Sequence, residues 1–217
     1  MPCTLCGQAD NPVYHRDKRR VYQRCTRCHL VYVPPHYWLS AEQEKAEYDL
    51  HQNHTDDEGY RHFLSRVTAP LQQRITANAQ GLDFGCGPGP VLAQMMAEAG
   101  WPMQLYDIFY YPKVELLQRR YDFISATEVL EHLHSPATVL PQLWAMLNAR
   151  GCLAVMTKLV KDQAAFAHWH YKNDPSHICF FSQETFHYLA GLWRAELEFI
   201  GNDVMFLTKG RGHEGCQ

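Results

Sequence analysis

Short apolar runs alternate with amphipathic stretches from residue 80 onward. The apolar runs predict strands, and the amphipathic stretches between them predict helices. The strands are expected at residues 81–85, 103–107, 122–127, 151–158, 196–201 and 204–209. The helices are expected near residues 89–99, 135–148 and 182–193. This alternation is typical of a mostly parallel α/β sheet covered by helices.

The last two predicted strands are joined only by Asn202 and Asp203, after Gly201. So short a connection can join two strands only in an antiparallel hairpin. We therefore expect the parallel sheet to end in a C-terminal antiparallel hairpin.

Residues 40–79 read as helices that precede the sheet. A first helix is expected to begin after Ser40, a residue type that caps helices, and a second to occupy residues 59–79. The chain is thus divided into an N-terminal module at 1–35, a helical linker or cap over the site at 36–79, and a core at 80–217.

Composition narrows the class of protein. Of 217 residues, 46% are hydrophobic and 20% charged, as in ordinary globular proteins. An apolar run long enough to cross a membrane is not seen, and the first ten residues lack the pattern of a signal peptide. We therefore expect a cytoplasmic protein that does not act on a membrane. Its oligomeric state cannot be read from the sequence.

Two CxxC pairs stand in the N-terminal module. Cys3 and Cys6 form the first pair, and Cys25 and Cys28 form the second, 18 residues further on. Four thiolates make the tetrahedral shell that zinc prefers. A module of this size needs a bound metal ion to fold. A closed shell predicts a structural zinc ribbon, with a redox CxxC or free thiols as the alternative.

Charge is distributed unevenly. Residues 1–33 carry a formal charge of +4, because they contain six basic side chains and two acidic ones, Asp10 and Asp17. The formal charge of the rest of the chain is −7. A basic module on an acidic body could contact nucleic acid, or it could be a solvated surface.

A glycine-rich loop follows the first strand of the core. Residues 83–89 read Asp-Phe-Gly-Cys-Gly-Pro-Gly, between a predicted strand and a predicted helix. Glycines at this place allow the backbone to approach a ligand closely. Gly89 comes one residue earlier than the third glycine of the NAD-binding motif, which favours a nucleoside ligand without a pyrophosphate.

These residues resemble the first motif of the class I S-adenosylmethionine-dependent methyltransferases, which have a Rossmann-like fold. Three further features over residues 80–209 fit that family: Asp107 ends the second strand, the sequence EVLEHL (128–133) follows the next strand, and the chain ends in the hairpin. The resemblance implies a cofactor site made by Asp83, Phe84, Gly85, Cys86, Gly87, Gly89, Asp107, Ile108, Thr127 and Glu128.

One departure from the family is visible. Only 13 residues separate Asp107 from Tyr121, where the family fits a helix, a strand and a second helix. So short a crossover accommodates one helix at most. The third strand of the sheet is therefore expected to be missing or short.

The acceptor side of the site is marked by histidines, which titrate near neutral pH and suit proton transfer. The stretch SHICFFS (176–182) resembles a segment of deoxysugar C-methyltransferases, which also carry a four-cysteine zinc module. That alignment makes His177 the candidate base. His132, which follows the third predicted strand, is a second catalytic candidate, and His54, Tyr60 and His170 are expected to line the approach of the acceptor.

The sequence thus predicts methyl transfer from S-adenosylmethionine to a small-molecule acceptor. An RNA methyltransferase that contacts RNA through the basic zinc module is the first alternative. A non-catalytic binding module that retains the fold is the second.

Overall fold

The computed structural model describes residues 1–50 and 56–210. Within these ranges the strands, in chain order, are β1 (Val13–Arg16), β2 (Val21–Arg24), β3 (Val31–Tyr32), β4 (Gly81–Phe84), β5 (Met103–Tyr106), β6 (Tyr121–Thr127), β7 (Leu147–Met156), β8 (Cys179–Phe180), β9 (Glu196–Ile200) and β10 (Val204–Thr208). The α-helices are α1 (Ala41–Asp49), α2 (Glu58–Gln72), α3 (Val91–Glu98), α4 (Pro136–Met146), α5 (Gln163–Ala167) and α6 (Gln183–Trp193).

Six strands form the large sheet, in the order β5-β4-β6-β7-β10-β9. Strands β4 to β7 pair in parallel, whereas β10 is antiparallel to both β7 and β9. Because the chain reverses at Gly201, which has a φ of +62°, β9 and β10 form the predicted hairpin. The predicted α/β fold with a terminal hairpin is therefore confirmed.

The segment between Asp107 and Tyr121 contains no paired strand that would extend the sheet. An isolated bridge joins Asp107 to Tyr111, and a short 3-10 helix spans Val114–Gln118. The expected loss of the third strand is confirmed, and β5 is the edge of the sheet.

Several boundaries differ from the prediction, and the helix expected over residues 59–79 ends at Gln72. The helix expected over residues 135–148 ends at Met146, and the strand expected from residue 151 begins at Leu147. Leu147 is buried and pairs with Tyr121 at the start of β6, so tertiary pairing determines this boundary rather than local pattern.

A second, antiparallel sheet has the order β1-β2-β3-β8. Its first three strands belong to the N-terminal module, but β8 lies far along the chain, in the stretch predicted only as a connection before α6. Val31 pairs with Phe180, and Tyr32 pairs with Cys179. The N-terminal module is therefore joined to the core by backbone hydrogen bonds.

The same hydrophobic cluster runs through both sheets. Tyr22 and Cys25 of the module belong to it together with Phe166 and Met205 of the core. The ring of Phe166 lies 5.1 Å from that of Tyr22, in an edge contact. The division of the chain at residues 35 and 79 stays a prediction.

The two helices before the core begin at side-chain caps. Ser40 and Gln43 form a capping box at α1, and Asp57 accepts the backbone N–H of Tyr60 at α2. Among the helices of the described chain, none is long and apolar enough to cross a membrane.

Candidate functional site

The glycine-rich loop turns sharply after β4. Gly85 and Gly87 have φ values of +73° and +63°, which favour glycine over other residues. A Cβ atom added to Gly85 would lie 2.5 Å from Cγ2 of Val129, so this glycine also allows a close approach. No atom of residues 1–50 or 56–210 lies within 4 Å of a Cβ atom added to Gly87, so the loop is open on that side within the described chain.

Asp107 holds this loop from the end of β5. Its Oδ2 atom accepts the N–H of Gly87 at 3.0 Å. Its Oδ1 atom accepts the N–H groups of Phe109 and Tyr110, at 2.8 and 3.1 Å. The carboxylate is 8% exposed, so it ties the two loops together at the edge where the parallel strands end.

A pocket lies beside the glycine loop. Its lining contains six of the predicted site residues, together with three apolar residues of α2 and α3. The lining residues are Tyr60, Leu64, Asp83, Gly85, Cys86, Gly89, Val91, Leu92 and Thr127. The Oγ1 atom of Thr127 is buried, with no hydrogen-bond partner in the parts of the chain that are described. Such an orphaned atom at the wall of a pocket is typical of a ligand site.

Asp83 lies at the base of this pocket. Its Oδ1 atom accepts the hydroxyl of Ser125 at 2.7 Å. Burial raises the pKa of this carboxyl group to about 6, and the charge of Asp107 adds to the shift. The ring of Phe84 stacks on that of Tyr106, at 5.3 Å. Ile108 remains 69% exposed, an unusual place for a large apolar side chain.

Glu128 follows Thr127 directly and has a φ of +53°. Left-handed backbone in a residue other than glycine costs about 1–3 kcal/mol and occurs often at functional sites. Its Oε1 atom is buried and lacks a hydrogen-bond partner among residues 1–50 and 56–210. Its Oε2 atom lies 3.4 Å from the hydroxyl of Tyr171.

The Tyr171 hydroxyl links Glu128 to a second buried carboxylate. It donates a short hydrogen bond to Oε1 of Glu131, whose Oε2 atom accepts the hydroxyl of Thr157 at 3.1 Å. Burial raises the pKa of Glu131 to about 7. Burial, with the charge of Glu131, raises the pKa of Glu128 to about 8. Burial likewise raises the pKa of Tyr171, so its hydroxyl keeps its proton.

The two histidines predicted to be catalytic lie together beside this group. The His132 and His177 rings are 4.8 Å apart, and the His177 ring is 4.2 Å from that of Tyr171. Nδ1 of His177 donates to the carbonyl of Tyr171 at 2.8 Å, and its Nε2 atom lies 3.7 Å from Asp174. Burial lowers the pKa of His177.

Glu131, His132 and His177 also place one oxygen or nitrogen atom each within 4.8 Å of one another. These side chains already form hydrogen bonds within the protein. The hydroxyl groups of Thr157 and Tyr171 donate to Glu131. The carbonyl oxygen of Ser176 accepts a hydrogen bond from Nδ1 of His132 at 3.2 Å. We therefore describe them as a hydrogen-bonded cluster and assign no metal to it.

The sequence profile of the methyltransferase domain family matches residues 53–198, well over half of the chain. The chain belongs to this family. The match includes the glycine loop, Asp107, Glu128 and the histidine cluster.

Two solved structures resemble this methyltransferase. The 1,6-didemethyltoxoflavin-N1-methyltransferase of Burkholderia thailandensis is 17% identical, with a TM-score of 0.53, over 90% of this chain and 98% of that one. A SAM-dependent methyltransferase of Archaeoglobus fulgidus is 14% identical, with a TM-score of 0.55, over 69% and 94% of the two chains. At these identities the likeness shows the fold alone. Among curated proteins, no sequence matches this methyltransferase.

The four cysteines of the CxxC pairs meet in the N-terminal module of the methyltransferase. Their sulfur atoms lie within 4.8 Å of one another. The Cys3 and Cys28 sulfurs are 3.5 Å apart, and those of Cys6 and Cys25 are 3.4 Å apart. Each pair is followed by a left-handed residue, Gly7 in the first and His29 in the second, so the two turns have the same shape.

The module holds the loop that leads to His177. Arg20 is 6% exposed, and its guanidinium donates to the carbonyls of Lys172, Asp174 and Pro175, at 2.6, 2.6 and 3.1 Å. Lys172 in turn pairs with Asp17 at 3.1 Å. Basic side chains of the module thus fix the backbone of residues 172–175.

Two predicted acceptor residues remain. His54 lies outside the described residues. His170 has its Nε2 atom 3.4 Å from Nζ of Lys158, in an exposed position. Sequence reasoning missed Tyr171 and Arg20. The aromatic stretch FAHWHY (166–171) was the one signal for Tyr171, and nothing local indicated that Arg20 reaches a loop 152 residues away.

Proposed function

We propose that this methyltransferase transfers a methyl group from S-adenosylmethionine to a small-molecule acceptor. The observation that carries the proposal is the pocket beneath the glycine loop, with Asp107 bonded to Gly87 at its edge. The neighbouring structure from Burkholderia thailandensis holds 1,6-didemethyltoxoflavin and S-adenosylhomocysteine, which supports the same pair of ligand classes.

The residues around the pocket fit this cofactor. Gly87 leaves open space where a nucleoside can approach the backbone, and the orphaned hydroxyl of Thr127 provides a polar contact. The proposed cofactor residues are those of the sequence analysis, from Asp83 to Glu128, with Asp107 near the ribose and the exposed Ile108 against the adenine. When bound, the cofactor supplies an electrophilic methyl group on a positively charged sulfur.

We place the acceptor between the cofactor pocket and the histidine cluster, with His54, Tyr60 and His170 along its approach. Both nitrogen atoms of His177 are directed at protein groups, Tyr171 and Asp174. We therefore propose that His177 and His132 orient the acceptor.

A structural zinc ion in the N-terminal module is part of the proposal. Four sulfur atoms bound tetrahedrally at about 2.3 Å from zinc lie about 3.8 Å apart. The separations of 3.5 Å for Cys3–Cys28 and 3.4 Å for Cys6–Cys25 need only a small expansion to fit. Cys3, Cys6, Cys25 and Cys28 would thus close the shell and leave no position for catalysis.

The contacts of the basic module favour a small acceptor over RNA. Arg20 is buried against the loop, and Arg19 donates to the carbonyl of Asn173 at 2.8 Å. Arg24 lies 3.6 Å from Glu184. These charges serve contacts within the chain, which weakens the argument that the module is a nucleic-acid surface.

Calorimetry with S-adenosylmethionine and S-adenosylhomocysteine tests the function. Both should bind, and Asp107→Asn should weaken binding by about 1.5–3 kcal/mol, because a charge-assisted hydrogen bond to the ribose is lost. Asp122 is the matched control, since it also accepts a backbone N–H, from Gln80 at 2.9 Å, and bonds the side chain of Asn148 at the opposite ends of the strands. Asp122→Asn should leave both affinities unchanged. Absence of binding to the wild-type protein would overturn the proposal, and it would leave only the non-catalytic alternative.

A further inference from the structure

We infer that Glu128 is the base that receives the acceptor's proton, and that Tyr171 and Glu131 hold it beside the methyl donor. This inference rests on the proposed function and adds a catalytic residue to it. The resemblance had placed Glu128 only among the cofactor contacts.

The position of Glu128 next to the pocket is the first argument. Glu128 follows Thr127, which lines the pocket, at the end of the strand β6. Tyr60, which also lines the pocket, has its pKa raised to about 12 by burial and by the charges of Asp83 and Glu128. The charge of Glu128 therefore acts on a side chain of the pocket wall.

The unused oxygen of Glu128 is the second argument. Its Oε1 atom is buried and lacks a protein partner within the described chain, although buried carboxylate oxygens normally accept hydrogen bonds. The left-handed backbone at this residue points to a position held for function rather than for local stability. An acceptor that donates an O–H or N–H group would satisfy that oxygen.

The third argument concerns the other oxygen of Glu128, Oε2, which lies beside Tyr171. Tyr171 lies 3.4 Å from Oε2 of Glu128 and bonds Glu131, which Thr157 holds from the other side. Because the Glu131 carboxylate accepts the hydroxyl protons of Tyr171 and Thr157, no hydroxyl proton is left for Glu128, and a single proton shared by the two carboxyl groups resides on Glu128.

Other charged groups also face Glu128. Glu131 and Asp203 disfavour its ionised form, whereas Lys158 favours it. Lys158 lies over the Tyr171 ring, at 5.0 Å from its centre. Burial is the largest influence, and it raises the pKa of Glu128 so that the protonated form is favoured in the free protein.

A nearby positive charge favours the ionised form of Glu128 over the protonated form. A sulfonium beside the carboxyl group lowers its pKa, so Glu128 becomes a carboxylate when the methyl donor binds. In the reaction, the acceptor's electron pair forms the new bond to the methyl carbon, and the carbon–sulfur pair stays on sulfur. Glu128 takes the acceptor's proton, so the sulfonium and the carboxylate are neutralised together. The base is therefore ionised only while the donor's charge is present.

Proton release on binding tests the inference without a known acceptor. Calorimetry at pH 7 in two buffers of different ionisation enthalpy gives the number of protons released by each ligand. Glu128 should add about one released proton per chain with the cationic methyl donor and none with its neutral demethylated product. The sulfonium also lowers the pKa of the donor's own amino group, so the contribution of Glu128 is the part of the release that is lost when Glu128 is replaced. At pH 9.5, where Glu128 is already ionised, the wild type and Glu128→Gln should release equal numbers of protons.

Variants assign the proton to its residue. With the methyl donor at pH 7, Glu128→Gln should still bind and should release about one proton fewer per chain than the wild type. Glu115→Gln, at an exposed glutamate, should release as many protons as the wild type. Equal release by the wild type and Glu128→Gln at pH 7, or a difference between them that persists at pH 9.5, would overturn the inference while leaving the proposed function intact. Failure of both ligands to bind would overturn the proposed function, and the inference with it.

Discussion

The proposed cofactor side and the proposed acceptor side of the site are assembled in different ways. The cofactor side is built from successive elements, in which β4, the glycine loop and β5 meet through Asp107 over about 25 residues. The acceptor side joins parts of the chain about 150 residues apart, through Arg20 and the pairing of β3 with β8. The first is a local construction, and the second depends on the N-terminal module.

This difference indicates the structural role of the N-terminal module. The strand β3 of the module pairs with β8, and Tyr22 packs on Phe166. Arg20 of the module binds the backbone of residues 172–175. Loss of the module should therefore disturb the loop of His177 and leave the cofactor pocket intact. Three predictions test this contrast.

The largest effect is expected from Cys25→Ser. A structural zinc ion contributes on the order of 10 kcal/mol, comparable to the whole stability of a domain. The wild type should carry one zinc ion per chain by elemental analysis, and the variant none. Hydrogen exchange should then accelerate in residues 1–33 and 163–182 but not at 81–92. The control, Cys152→Ser, changes a buried cysteine of the large sheet and should retain zinc. Full protection of residues 163–182 in a zinc-free variant would show that the two regions are independent.

A smaller effect is expected from Arg20→Met. The substitution keeps the apolar stem but leaves the carbonyls of residues 172–175 without their donors. We expect the free energy of unfolding to fall by about 3 kcal/mol. Arg16→Met, at an exposed arginine of the same module, should change stability by less than about 0.5 kcal/mol. Denaturant titration measures both, and equal values would contradict the role assigned to Arg20.

The smallest effect concerns the cofactor side. Gly85→Ala and Gly87→Ala both place a side chain on left-handed backbone, which costs about 1–2 kcal/mol in each. Only the first also meets Val129, at 2.5 Å, so Gly85→Ala should be less stable than Gly87→Ala by about 1–2 kcal/mol. Thermal unfolding compares the pair. Equal stability would mean that the contact with Val129 relaxes freely, and a reversed order would contradict the prediction.

The same contrast explains what the sequence could predict. The large sheet, its terminal hairpin and the missing third strand follow from periodicity and spacing, which are local properties. Asp107 and the glycine loop were found because a strand end and the following turn are adjacent in the chain. The strand β8 was missed because a two-residue strand has no periodicity and exists only through its pairing with β3.

The linkage between the two buried carboxylates was missed for a related reason. Glu128 and Glu131 stand in the EVLEHL stretch, but their linkage depends on Tyr171, 40 residues beyond Glu131. Neither burial nor the orphaned oxygen of Glu128 can be read from one sequence, because both arise from packing between distant elements.

Hydrogen exchange with and without S-adenosylhomocysteine tests the central claim most directly, because it locates the cofactor along the chain. The ligand should slow exchange in residues 83–92, 107–111 and 127–129 and leave residues 1–33 unchanged. Protection confined to the N-terminal module, or unchanged exchange at the glycine loop under saturating ligand, would contradict the assignment of the cofactor to this loop.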